Sequence, residues 1–383
     1  MSSWAMMTIP EWPQSDEREA EMLRQVLSSP QWGGFHPFVA EFERSFAAYQ
    51  HSQHAISAAN GTLTLELALP LLGVSPGDEV ILPAISFISS ASAISRVGAI
   101  PVFVDIEESS FNIDAARVQQ AITPRTKAVM AVHFGGVLCD IPSLQQLCSA
   151  RGLMLLEDAA HAHGAEWQGR RAGSFGRMAS FSFQNGKVLT SGEGGALLTS
   201  DDSLAEQARS LANCGRKLGC NFYEHYRIGT NFRMTAFQAA VLLCQLEKLP
   251  AQIQRRTQNA KLLKHLLQDV EEIVWQQEPA QQTQNPQYLL TGRLKNSAID
   301  HREFCAHLSA QKIPCAPFYP HTLYQNPVFH NAPCRVIPCP VSEARLKDAF
   351  WLGHRLLLAG EETIHECAQA MRAAILSPHL AQV

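Results

Sequence analysis

An α/β fold built on a large, mostly parallel sheet, followed by a smaller C-terminal α+β domain, is the architecture this sequence predicts. Three observations lead there. Short apolar runs alternate with stretches of helical periodicity through the first two thirds of the chain. Several runs (PVFVDI, AVMAVHF, LMLLED) are apolar at nearly every position, as expected of strands buried on both faces of a parallel sheet. Polar residues stand where these runs end, namely Asp105, His133 and Asp158, and α/β sheets bind ligands at the carboxyl ends of their strands.

In chain order, the apolar runs predict strands at 79–82, 100–105, 128–133, 153–157, 179–183 and 195–199. Helical patterns at 62–72, 113–122 and 141–150 fall between them. A long helical stretch begins after residue 233 (MTAFQAAVLLCQLEKL, then QIQRRTQNAKLLKHLLQ). Pro250 and the polar segment 276–287 suggest a change of domain nearby. The expected division is a large domain over 1–248 and a small one over 249–383. The latter holds the strand-like YLLTGRL, an irregular proline-bearing stretch at 314–340 and a last helix at about 361–374.

Composition narrows the function classes. The chain has 383 residues, 46% hydrophobic and 17% charged, with a net charge of −4. That balance suits a large globular core and gives no reason to expect nucleic acid or an anionic membrane as partner. The ten cysteines form no CxxC pair and no Cys/His cluster at zinc spacing, so reduced cytosolic thiols are expected and no metal. No run of about 18 apolar residues occurs, and the N-terminus turns acidic before any stretch long enough for a signal peptide. The expectation is a soluble, cytoplasmic protein.

Four segments carry candidate chemistry. In MASFSFQNGKVLTSGEGGALLTS a strand ends at Ser182 and Phe183, a polar turn delivers Lys187, and Gly192, Gly194 and Gly195 follow. A lysine there can reach a cleft that a large ligand also enters, although a surface lysine beside a hairpin would read the same. In LMLLEDAAHAHG, Asp158 ends a buried strand, so its carboxylate needs a cationic or hydrogen-bonding partner. It either caps the next segment or sits beside the pyridine nitrogen of pyridoxal phosphate (PLP), keeping that ring an electron sink. In SAANGTLTLELAL, Asn60, Gly61 and Thr62 open an apolar helix whose free first-turn N–H groups make an anion site, or merely an ordinary cap. In PAISFISSASAI, Phe87 lies just past a strand, placed either for the core or for a cofactor ring.

Taken in order, these segments resemble the DegT/DnrJ/EryC1/StrS family of PLP-dependent sugar and cyclitol aminotransferases, of the aspartate aminotransferase-like fold type I. The likeness runs from about residue 42 to 249 through FERSFAAY, NGTLTLELAL, GDEVILPAISF, GAIPVFVDI, ITPRTKAVMAVHFGG, LLEDAAHAHGA, FSFQNGKVLTSGEGG and IGTNFRMTAFQAAVLLCQLEKL. It continues more faintly in FYPHTLYQNPVF and PVSEARL. The resemblance implies that Lys187 holds PLP as a Schiff base and Asp158 pairs its ring nitrogen. It assigns Gly61, Thr62 and Ser182 to the phosphate and Phe87 to the ring face. His161, where many members have glutamine, falls near the phenolic oxygen, and Asn231 would contact the phosphate of the partner subunit in a homodimer with shared active sites.

Within the family, AHAHGAEWQG and FSFQNGK followed by GEGG look most like 3-amino-5-hydroxybenzoate synthases and cyclitol aminotransferases of antibiotic pathways. The lysine of NGK argues against the 3-dehydrating branch, which carries histidine there. FWLGHRLLLAGEE lacks the Leu-Pro usual in the sugar enzymes. The expected activity is transamination from L-glutamate or L-glutamine to a keto-sugar or keto-cyclitol acceptor in secondary-metabolite or sugar biosynthesis. Arg227 and Arg233 are candidates for the donor carboxylate. The alternatives are a dehydrating, aromatising enzyme of the 3-amino-5-hydroxybenzoate synthase type and a non-catalytic PLP-fold partner protein. A nicotinamide dehydrogenase is disfavoured, because no GxGxxG follows a predicted strand and opens a helix.

Overall fold

The apolar runs assemble side by side in one eight-stranded sheet, seen in a computed structural model that describes residues 7–295 and 299–376. Across the sheet the strands run His54–Ala58, Gly195–Thr199, Met178–Ser182, Met154–Asp158, Thr126–Val132, Glu79–Pro83, Ile100–Val104 and Arg335–Val336. Gly195–Thr199 pairs antiparallel with both of its neighbours, and every other pairing is parallel. Parallel strands need crossovers, and helices such as Gly61–Leu71, Ile88–Arg96 and Ile141–Arg151 supply them. Two apolar cores result; Ile81, Val129 and Phe181 lie in one, and Val80, Met130 and Leu156 in the other.

Register decides what meets at the carboxyl edge. Val132 lies opposite Asp158, and Asp158 opposite Ser180. Ser182 lies opposite Gly195, and Gly195 opposite Ala58. The ends of five strands therefore bring Asp158, Ser182, Gly195 and the Asn60–Gly61 turn together.

Two strands of this sheet were not predicted. His54–Ala58 is five residues long and leads almost directly into the helix Gly61–Leu71, so its pattern merges with the helical one. Arg335–Val336 has two residues, too few for any periodicity, and returns the chain from the irregular stretch to the edge of the main sheet.

The long helix also differs from expectation at Pro250. Ala236–Leu266 runs on through it as one helix of 31 residues, with residue 248 inside it. A proline here forgoes the hydrogen bond to the carbonyl four residues back. Burial on both sides of the break offsets that loss. Leu242, Leu249 and Ile253 enter a core of the large sheet, and Ala260 and Leu263 enter the C-terminal one. That second core lines a four-stranded antiparallel sheet, ordered Ile273–Trp275, Leu289–Leu294, Ala349–Gly353, Cys315–Pro317, with helices His301–Ala310 and Glu361–Leu376. Among the described residues no helix is long and apolar enough to cross a membrane.

Candidate active site

A cleft of about 840 Å³ opens at the carboxyl edge of the sheet. Gly61, Thr62, Phe87, Asp158, His161, Ser182 and Lys187 all line it. Asn231 does not. It is exposed, bridged to Asn213, and its Oδ1 accepts from the Arg233 N–H at 3.2 Å. Arg227 and Arg233 also stay out of this chain's cleft; Arg233 Nη1 instead donates to Asn213 Oδ1 at 2.8 Å.

Asp158 is the last residue of its strand and is buried. Its Oδ2 accepts from Ser90 Oγ at 2.7 Å, and Oδ1 takes only a long bond, 3.3 Å, from the Ala160 N–H. Burial pushes the carboxyl above its ordinary value, opposed by the Ser90 hydrogen bond and, more weakly, by Lys187 and His133. A carboxylate has about four acceptor positions, so this one retains capacity for a cationic N–H donor. The protonated nitrogen of a pyridine ring meets that need.

The start of the helix Gly61–Leu71 forms a second element. Asn60 Oδ1 accepts from the Leu63 N–H at 3.0 Å, while the N–H groups of the first turn have no partner within the helix. The hydroxyls of Thr62 and Ser89 lie 2.8 Å apart beside it. A Cβ on Gly61 would sit 2.7 Å from Ser182 Cβ, and one on Gly195 would sit 2.5 Å from the Asn60 carbonyl. Both glycines thus let the helix start press against the strand ends. The result is a set of uncharged donors at a helix N-terminus, which suits a phosphate.

Lys187 closes the turn after Met178–Ser182, its N–H donating to Gln184 O at 2.9 Å. Its Nζ lies 4.6 Å from the centroid of the Tyr288 ring. Tyr288 also faces His161, with ring centroids 4.4 Å apart. Burial, then the nearby Lys187, hold the His161 imidazole far below its usual pKa, so it is neutral. Its Nδ1 accepts from the Gly135 N–H at 3.3 Å, which leaves the proton on Nε2 as a donor. Phe87 caps the helix Ile88–Arg96 and is more than half exposed, so it is not a core residue.

Two of the strand-end polar residues serve the fold. Asp105 accepts from the N–H groups of Val341 and Ser342 and from Ser342 Oγ, at 2.7–2.8 Å, anchoring the helix Pro340–Arg345. His133 is fully buried, 3.0 Å from Glu157, whose carboxylate also accepts three backbone N–H groups. Sequence reasoning missed Ser90, Tyr288 and Tyr319, which also line the cleft. Among the described residues no cluster of His, Cys, Asp or Glu suits a metal ion.

Residues 13–372 match the DegT/DnrJ/EryC1/StrS aminotransferase family. The chain belongs to this family. It is therefore a PLP-dependent aminotransferase-family enzyme of fold type I. It is 39% identical over 379 residues to a 3-amino-5-hydroxybenzoate synthase of Amycolatopsis mediterranei, covering 96% of this chain and 97% of that one. It is 35% identical over 396 residues to an L-glutamine:2-deoxy-scyllo-inosose aminotransferase of Streptomyces kanamyceticus, covering 94% and 92%. A crystal structure of a 3-amino-5-hydroxybenzoic acid synthase superposes with a TM-score of 0.92 at 37% identity, over 97% of this aminotransferase and 100% of that chain.

Proposed function

We propose that this enzyme moves an amino group from L-glutamine or L-glutamate to the ketone of a cyclitol- or sugar-type acceptor in secondary metabolism. The observation that carries the reading is the convergence of Lys187, Asp158 and the Gly61–Thr62–Ser182 cradle on one cleft. PLP, when bound, supplies an electron sink for the carbanion formed at the donor's Cα. The protein's part is binding and proton handling. Gly61, Thr62 and Ser182 donate to the phosphate, and Asp158 holds a proton at the ring nitrogen. His161 donates from Nε2 to the phenolic oxygen, and Phe87 covers one ring face. Lys187 carries the cofactor and, once displaced, moves a proton from the donor's Cα through its amine.

The relatives support this acceptor class. The inosose aminotransferase of Streptomyces kanamyceticus acts by its name on a keto-cyclitol with L-glutamine as donor. A second reading has specific support in the 39% identity, over nearly the whole chain, to a 3-amino-5-hydroxybenzoate synthase. In that reading the same Lys187 removes a proton so that water is eliminated and the ring aromatises. The experiment sets purified holoenzyme and L-glutamine against a panel of keto-cyclitols and keto-sugars, with an aminodehydroshikimate-type substrate alongside. Mass spectrometry detects the amines, and ultraviolet absorbance the aromatic product. An amine from a ketone supports the first reading, and aromatic product alone supports the second. Neither product, from protein that carries PLP, contradicts both.

A further inference from the structure

Two segments outside the cleft grip the turn that delivers Lys187. The carbonyls of Asn185 and Gly186, the two residues before the lysine, each accept from a side chain. Trp12 Nε1 donates to Asn185 O at 3.0 Å, and His354 Nε2 to Gly186 O at 3.1 Å. A carbonyl only accepts, so the proton of His354 is on Nε2. The ring is neutral, because burial lowers its pKa to about 3. Trp12 and His354 meet edge to face with centroids 4.6 Å apart, and an ion pair of 3.3 Å between Glu11 and Arg355 joins the same two segments.

His354 reaches the lysine by a second route. Its ring stacks on Tyr288 at 5.9 Å between centroids, and the Tyr288 ring receives Lys187 Nζ. The turn itself has little local restraint. Gln184 and Asn185 are exposed, and its internal bonds are those from the Lys187 and Gly186 N–H groups to Gln184 O and Oε1, at 2.9 and 2.8 Å. The peptide planes that aim Lys187 are therefore held largely from outside. His354 lies in GHRLLL, the stretch where this chain lacks the Leu-Pro of the sugar enzymes.

We propose that His354 and Trp12 form a clasp that fixes the backbone of 185–187 and so aims the Lys187 amine into the cleft. Both are positioning residues, since neither lines the cleft. The proposal rests on Lys187 as the cofactor lysine. In capturing PLP, the lone pair of that amine attacks the aldehyde carbon, a C=N bond forms, and the carbonyl oxygen leaves as water. The amine must arrive along one direction, and a preset backbone removes the entropy cost of finding it.

The test follows PLP capture by cofactor-free protein through its absorbance, with thermal melting measured alongside. His354→Leu removes the donor, whereas His354→Gln restores an N–H near the position of Nε2. Trp12→Phe removes the indole N–H together with its five-membered ring and keeps an aromatic ring at a half-buried position. His354→Leu is expected to slow capture about tenfold, the worth of an ordinary hydrogen bond, with His354→Gln within about threefold of wild type. Trp12→Phe is expected to slow capture about threefold or more at unchanged melting temperature, and it decides the matter if His354→Leu does not fold. Wild-type rates in His354→Leu or in Trp12→Phe overturn the clasp, as does a His354→Gln protein as slow as His354→Leu. Borohydride reduction of the wild type is the control. If it marks Lys187, the assignment of the cofactor lysine stands whatever the variants do; if it does not, that assignment fails first.

Discussion

Asp158 is a carboxylate placed where the folded protein alone gains little from its charge. Burial raises its pKa, and Ser90 answers only one side of it. The sign of the consequence follows from linkage. Between the ordinary carboxylate range and the raised value, the folded state binds more protons than the unfolded one, so stability falls as pH rises through that window. At neutral pH the ionised group therefore costs the cofactor-free protein stability. Asp158→Asn is expected to raise the melting temperature of the cofactor-free protein at pH 7. The same change should slow transamination by about a hundredfold or more, because the ring nitrogen is no longer held protonated. Calorimetry and single-turnover kinetics check the two halves, and unchanged turnover would reduce Asp158 to a cap. The positions of Lys187 and Asp158, at the ends of predicted strands, were legible in the sequence, but their roles came only through the family resemblance. Ser90, Tyr288, Tyr319 and His354 were not legible, because they reach the lysine and the carboxylate from remote segments through packing. Ser90 lies in a serine-rich helix where no local feature distinguishes it from Ser89 or Ser92.

The helix Gly61–Leu71 shows how an element carries a site. Its apolar residues Leu65, Leu67, Ala68 and Leu69 bury in one core and fix its axis, while Gly61 lets its first turn touch the strand end at Ser182. Gly61→Ala adds one methyl group at 2.7 Å from Ser182 Cβ, and the helix start must move away. The expected cost is about 1–3 kcal/mol of stability, as for other overpacked sites. Because the movement displaces the phosphate donors, PLP affinity is expected to fall about tenfold. Equilibrium dialysis reads the affinity and chemical denaturation the stability. Full affinity in a destabilised protein would separate the helix start from the phosphate. The six strands were readable from their short apolar runs, and three of the helices from helical periodicity. The two short strands were not, and neither was the passage of the long helix through Pro250, since its packing against two cores is a tertiary fact.

At the scale of the whole molecule, Asn231 stands outside the cleft of its own chain, on an exposed segment that also exposes Leu218, Tyr223 and Ile228. We infer a homodimer in which that segment reaches the neighbouring site and Asn231 contacts its phosphate. Mixing tests the inference, with Lys187→Ala and Asn231→Leu subunits each nearly inactive alone. Their heterodimer holds one site with both defects and one with neither, so a random equal mixture is expected to recover about a quarter of wild-type activity. No recovery in verified heterodimers would return Asn231 to its own chain. This arrangement was legible only through the family resemblance, because no feature of GTNFRM indicates which subunit it serves. The account as a whole depends on one lysine. Borohydride reduction of the PLP-loaded enzyme, followed by digestion and peptide mass spectrometry, tests it most directly. The predicted result is a single phosphopyridoxyl adduct on Lys187; an adduct on another lysine, or none on protein that has bound PLP, would contradict it.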